Sequence, residues 1–137
     1  MLNRLHSSFQ ILAQRPPATR DEINALVAYF KAVPREFIEL ARQATFIEPG
    51  YQRKQYIRFA GPSDSIETCN AHDFHRWMPG AIPIGDDGCD KVLFYARGHH
   101  GYGLYHVGFG NLDLNDAVWI APTLEAFLTK ATGIETF

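Results

Sequence analysis

Residues 82–95 read IPIGDDGCDKVLFY, which sets Asp86, Asp87 and Asp90 among Gly85 and Gly88, between two runs of strand-forming residues. Three carboxylates this close invite a metal. A calcium loop needs oxygen ligands at alternating positions, a glycine at the sixth and a glutamate at the twelfth. The 86–88 turn has neither the alternation nor the distant glutamate. The stretch Asn111-Leu112-Asp113-Leu114-Asn115 does alternate, but its sixth position is Asp116 and its twelfth Pro122. A phosphate cradle fails as well, because carboxylates repel phosphate and the loop feeds a strand rather than a helix. What remains is a tight turn in which Gly85 and Gly88 can take positive φ. It presents Asp86, Asp87 and Asp90 at the mouth of a strand.

The other candidates divide similarly. Cys69, His72 and His75 follow one another at intervals of three, so one continuous helix would place them on one broad side, and Cys and His are zinc ligands. The sequence places no fourth ligand, and half-buried or surface histidines explain the spacing equally. His99 and His100 lie in GHHGYG, whose glycines suit a hairpin tip; neighbours on a strand point apart and chelate poorly. With Tyr102 they are better suited to touching a partner, the tyrosine as an aromatic anchor. Nucleophilic catalysis has little to stand on, since no GxSxG elbow is present. Asp86 and Asp87 with Asp113 would form an acid–base pair only if carboxylates adjacent in sequence pointed the same way.

The elements that must hold these residues follow from periodicity. Leu2, Leu5, Phe9 and Leu12 recur at helical spacing before Pro16-Pro17, giving an expected first helix. Thr19-Arg20-Asp21-Glu22 has the form of a capping box, followed by an apolar stripe of Ile23, Leu26, Val27 and Phe30. Beyond Pro34 a third helical segment carries Phe37, Ile38 and Ala41. Strands are expected at 45–47 and 55–59, with Pro49-Gly50 and Gly61-Pro62 as turns. A helix over 65–75, strands over 91–97, 104–109 and 117–120, and a last helix opened by Thr123 complete the chain. This order predicts an α+β fold with a mixed or antiparallel sheet, flanked by N-terminal helices and a C-terminal helix.

The chain has 137 residues, 46% of them hydrophobic, and a formal net charge of −2, which suits one domain and excludes a broadly basic nucleic-acid binder. The charge is divided unevenly. Residues 1–62 carry nine Lys/Arg against five Asp/Glu, and 63–137 carry four against ten. Such a split can shape a binding face. No apolar run reaches the length of a membrane span, and two cysteines do not make a disulfide scaffold, so a cytoplasmic setting is expected.

Three segments together resemble the SUKH superfamily, the Smi/Knr-type proteins. They are the strand–turn–strand text at 82–94, the glycine-rich hairpin with YHV at 98–107, and 120–128 leading through AFL. The family's GDDGGGD pattern departs here at Cys89, where glycine is common. Similarity is weaker over EINALVAYFKAVPREFIEL, and residues 1–18 read as a helical extension to a domain at 19–137. The resemblance implies an α+β fold and a non-catalytic binding role without metal or cofactor. Bacterial members are implied to be immunity proteins that neutralise toxins, often nucleases; eukaryotic relatives are regulatory scaffolds. The expected partner is therefore a protein toxin with a basic face, or for the scaffold alternative an endogenous protein. The expected contact residues are Asp86, Asp87, Asp90, His99, His100 and Tyr102.

Overall fold

Thr19 closes the capping box as its sequence requires. Its hydroxyl accepts the Glu22 N–H at 3.2 Å, and its own N–H donates to the Glu22 carboxylate at 3.0 Å. That box starts helix α1 (Arg20–Phe30) in a computed structural model that describes residues 2–43, 47–51 and 57–137. The remaining helices are α2 (Arg35–Gln43), α3 (Pro62–Ala71), α4 (Phe74–Trp77) and α5 (Leu124–Lys130). The strands are β1 (Phe9–Gln14), β2 (Ile47–Tyr51), β3 (Arg58–Phe59), β4 (Ile82–Asp86), β5 (Lys91–Gly98), β6 (Gly101–Gly108) and β7 (Val118–Ala121). They form one sheet in sequence order, and every neighbouring pair is antiparallel. The fold is α+β, and of the two expected sheet types it is the antiparallel one.

Strand β5 explains the layering. Val92, Leu93, Phe94, Tyr95 and Ala96 are all buried, and successive side chains of a strand point to opposite faces, so both faces must be covered. Leu93 and Tyr95 join Leu26, Phe37, Leu40, Leu124 and Phe127 on one side. Val92, Phe94 and Ala96 join Cys69, Phe74 and Met78 on the other. Helices α2 and α5 therefore cover one face and α3 and α4 the second. Each fully buried Phe or Leu contributes about 1.5–3 kcal/mol.

One carboxylate ties the first layer together. Glu36, in the first turn of α2, accepts the Tyr95 hydroxyl at 2.6 Å and the Leu124 and Glu125 N–H groups at 2.6 and 3.2 Å. It thus meets orphan donors at the start of α5, while the Thr123 hydroxyl accepts Ala126 N–H at 3.0 Å. Burial, with the Glu36 charge beside it, pushes the Tyr95 phenol far above its usual value, so it stays a donor.

Several expectations are corrected. The segment expected as a helical extension over residues 2–12 holds only a 3-10 turn (Leu2–Arg4), followed by β1. A helix that short is marginal by itself, whereas pairing with β2 supplies backbone partners, and a residue preceding proline is pushed toward extended geometry. Pro49-Gly50 does not turn the chain; it lies within β2, opposite an irregularity in β1 where a missing N–H is tolerated. Of the strand segments expected at 45–47 and 55–59, residues 45–46 and 55–56 lie outside the described residues. Val27 is 40% exposed and so lies off the buried stripe of α1. Asp73, left-handed at φ 56°, divides the single helix expected over 65–75 into α3 and α4.

Two expected outcomes follow. Glu36→Ala lowers unfolding free energy by about 2–3 kcal/mol in denaturant titration, because it strands buried donors; Glu36→Gln, which keeps an acceptor oxygen, loses less. Equal stability of wild type and Glu36→Ala would remove the network's assigned role. The second concerns His106, 3% exposed, whose Nε2 lies 3.2 Å from both the carbonyl and the hydroxyl of Thr136. Burial lowers its pKa first, and Lys91 adds to this, against opposing contributions from Thr136 and Asp87. A folded-state value below the unfolded one makes its contribution complete above about pH 6.5 and progressively lost as pH falls toward the depressed value. The denaturation midpoint should thus drop between about pH 7 and pH 5, and drop less in His106→Gln. Parallel pH profiles for the two proteins would contradict this.

Candidate functional site

The 86–90 turn is built from its own acids. The Asp86 carboxylate accepts the Gly88 N–H at 2.7 Å, and Asp87 accepts the N–H groups of Cys89 and Lys91, each at 3.0 Å. Gly88 takes φ +77°, as the sequence suggested. Gly85 does not. It is glycine because a Cβ there would sit 2.2 Å from the Arg58 carbonyl oxygen, so β3 approaches β4 too closely for any side chain. Arg58 then reaches the same Asp86 oxygen through Nε at 2.9 Å and through an Nη at 2.8 Å. Both partners are partly solvated, so this pair adds under about 1 kcal/mol to stability, but it fixes where Asp86 points.

The β6–β7 connection lies against this turn. Phe109 N–H donates to the Asp90 carbonyl at 2.7 Å, and Asn111 N–H to that of Gly108 at 3.0 Å. Asn111 Nδ2 donates to the Asp116 carboxylate at 3.0 Å, and the Asp113 carboxylate accepts Asn115 N–H at 2.9 Å, starting a short 3-10 turn. One end of the sheet thereby gathers Asp86, Asp87, Asp90, Asp113 and Asp116, with Arg58 and Lys91 as counter-charges. Asp90 and Asp116 are exposed; the other three are half-buried. Beside Asp86 a cleft of about 260 Å³ is lined by Arg15, Arg58, Asp64, Thr68 and Phe109.

His99, His100 and Tyr102 are elsewhere. They belong to the β5–β6 hairpin, and eight residues of β5 separate them from the acidic turn, a span of about 27 Å at ~3.4 Å per residue. The expected single surface is therefore two. The hairpin has its own construction: Tyr105 OH accepts the His100 N–H at 3.0 Å and donates to the Gly101 carbonyl at 2.7 Å. The His100 ring stacks on Trp119 at 5.4 Å, and Tyr102, 42% exposed, stacks on Tyr95 at 6.1 Å. Half of the hairpin chemistry is thus already used in holding the hairpin itself.

Of Cys69, His72 and His75, Cys69 and His75 both stay beside Tyr29, and His72 does not join them. Cys69 is buried in the core, where desolvation raises its thiol pKa. His72 ends α3 and packs on Phe109 at 4.6 Å; His75 lies on α4, with Nε2 3.2 Å from the Tyr29 hydroxyl. Tyr29 in turn donates to Asn70. No cluster of three or more metal-ligating side chains occurs among the described residues, and no helix there is long and apolar enough to cross a membrane. Sequence reasoning missed Arg58, Phe109 and Trp77. Arg58 lies outside any motif, and only the β3–β4 pairing takes it to Asp86.

Neither protein-family models nor curated proteins give a match to this chain. The SUKH-like reading accordingly rests on the motif residues themselves.

The close approach of β3 distinguishes the two glycines of the turn. Gly85→Ala should destabilise by about 2–3 kcal/mol through forced overpacking. Gly88→Ala, which only strains a left-handed position, should cost about 1–2 kcal/mol. Thermal melting of both variants checks the order, and a larger loss at Gly88 would reverse the explanation of Gly85.

Proposed function

We propose that this chain is a non-catalytic protein-binding module whose acidic end docks on a basic surface of a partner protein, in the manner of an immunity protein that blocks a toxin in the bacterial cytoplasm. The observation that carries the reading is the convergence of five aspartates, from two separate connections, on one end of the sheet. Like charges so placed repel one another, and packing does not require them all: Asp90 and Asp116 stand in solvent. Their sum produces a field that attracts a positive surface, speeding encounter and suppressing wrong partners more than it adds net affinity. A nuclease is the toxin chemistry that suits this field best, because an enzyme acting on a polyanion presents a basic cleft. The SUKH-like motif supports the same role, since its turn presents three of these acids, Asp86, Asp87 and Asp90.

The geometry selects the variants for a test. Asp86 and Asp87 are bound into the turn, so charge reversal there perturbs folding. Asp90 and Asp116 can be reversed with the turn intact. Against a partner protein with a basic face, such as a toxin found encoded in the gene's neighbourhood, Asp90→Lys plus Asp116→Lys should slow association at least about tenfold at low salt and flatten its salt dependence. His99→Ala plus Tyr102→Ala, at the opposite end, should leave the association rate close to wild type. Unchanged kinetics in the lysine variant, or a larger loss at the hairpin, would remove the acidic end from the interface.

A further inference from the structure

A second feature borders the acidic end. Trp77 is 55% exposed, more than any other large hydrophobic residue among those described. It lines a groove of about 580 Å³ together with His72, Phe109, Asn111, Leu112 and Asp113. Phe109 also lines the cleft beside Asp86, so the two depressions share a wall. A lone surface tryptophan needs no explanation. Two aromatic rings, an imidazole and a carboxylate around one groove describe a specific ligand chemistry: a cation held over π-faces and neutralised by an acid.

We infer that this groove receives a lysine or arginine side chain of the partner, an inference that rests on the docking role of the acidic end. Charge complementarity selects the occupant. Asp113 uses one carboxylate oxygen to accept Asn115 N–H, and its other oxygen makes no hydrogen bond among the described residues. Asp116 lies three residues further on, held by Asn111 of the groove wall. The Trp77 ring already demonstrates the interaction, because the Arg76 guanidinium lies 4.7 Å from its centroid. Arg76 therefore occupies one face of the ring and opposes an incoming cation by its charge, but it is not part of the groove lining and does not fill the space. His72, the remaining titratable group of the lining, packs on Phe109 with ring centroids 4.6 Å apart. Rigid aromatic anchors of this kind dominate binding energy when a partner closes over them.

The test uses the full chain, isotopically labelled for NMR, with blocked tetra-arginine as probe and blocked tetra-glutamate and a neutral peptide as controls. Tetra-arginine at millimolar concentration should shift the Trp77 indole N–H and the amides of Phe109 and Asp113, and the controls should not. Trp77→Leu should weaken the binding about 2- to 30-fold, the range of cation–π contacts from exposed to desolvated. Asp113→Asn keeps the acceptor for Asn115 N–H and should weaken it severalfold, with the fold unchanged by amide fingerprint. Shifts confined to Asp90 and Asp116, with Trp77 silent, would overturn the groove while leaving the acidic docking face standing. Absence of any shift would overturn both. Equal shifts with the neutral peptide would make the groove an apolar site and not a cation site.

Discussion

The five consecutive buried residues of β5 are the constraint on which the rest depends. A strand that is apolar on both faces cannot be left open to water on either side, so helices must be delivered to each. The chain does this by inserting α1 and α2 between β1 and β2, and α3 and α4 between β3 and β4. Once both faces are covered, packing claims the centre of the sheet, where β4, β5 and β6 carry their buried runs. What remains for recognition is the ends of the strands and their connections. This is why the chemistry of the molecule collects at two ends separated by the length of β5, and why neither end can borrow from the other.

The two ends hold themselves together differently. At the hairpin, aromatic stacking and the Tyr105 hydroxyl fix the backbone, and the exposed rings are parts of that construction. At the acidic end, carboxylates do the fixing. Asp86 and Asp87 satisfy backbone N–H groups that a bare turn would leave to water, and hydrogen bonds to a charged acceptor are stronger than neutral ones. The cost is mutual repulsion, relieved in part by Arg58 and Lys91. Glu36 plays the same kind of role in the interior, where one carboxylate meets a phenol and a helix start at once.

How much of this could be read from the residues varies with how local the cause is. The capping box at Thr19, the opening of α5 at Thr123 and the positive φ of Gly88 are set by neighbours within a few positions, and their sequence signals are correct. Two of the failures share a long-range cause. β1 looks helical because its apolar spacing fits a helix, and only the pairing with β2 overrides that pattern. Gly85 looks like a turn glycine because the strand that crowds it, through Arg58, lies twenty-seven residues away in sequence. The break between His72 and His75 is local instead: a single left-handed residue, Asp73, ends the expected helix. The separation of Asp86 from His100 is not of the long-range kind either: the strand expected over 91–97 already sets the turn and the hairpin at its two ends.

Two kinds of carboxylate make up the acidic end. A carboxylate that folds its own turn is rigid but half-spent, since one oxygen already faces backbone N–H groups. A carboxylate free of the turn has full charge to offer but less fixed geometry. Asp86 and Asp87 are of the first kind, and Asp90 and Asp116 of the second, with Asn111 restraining only Asp116. The first pair sets the position of the field, and the second carries most of its strength into solvent. Phe109 stands between them, anchored by its N–H to the Asp90 carbonyl, with one side of its surroundings on the Asp86 cleft and the other on the Trp77 groove. A partner docking as proposed would therefore meet an aromatic wall beside the aspartates. Closing over that wall would expel water and add short-range specificity to long-range attraction.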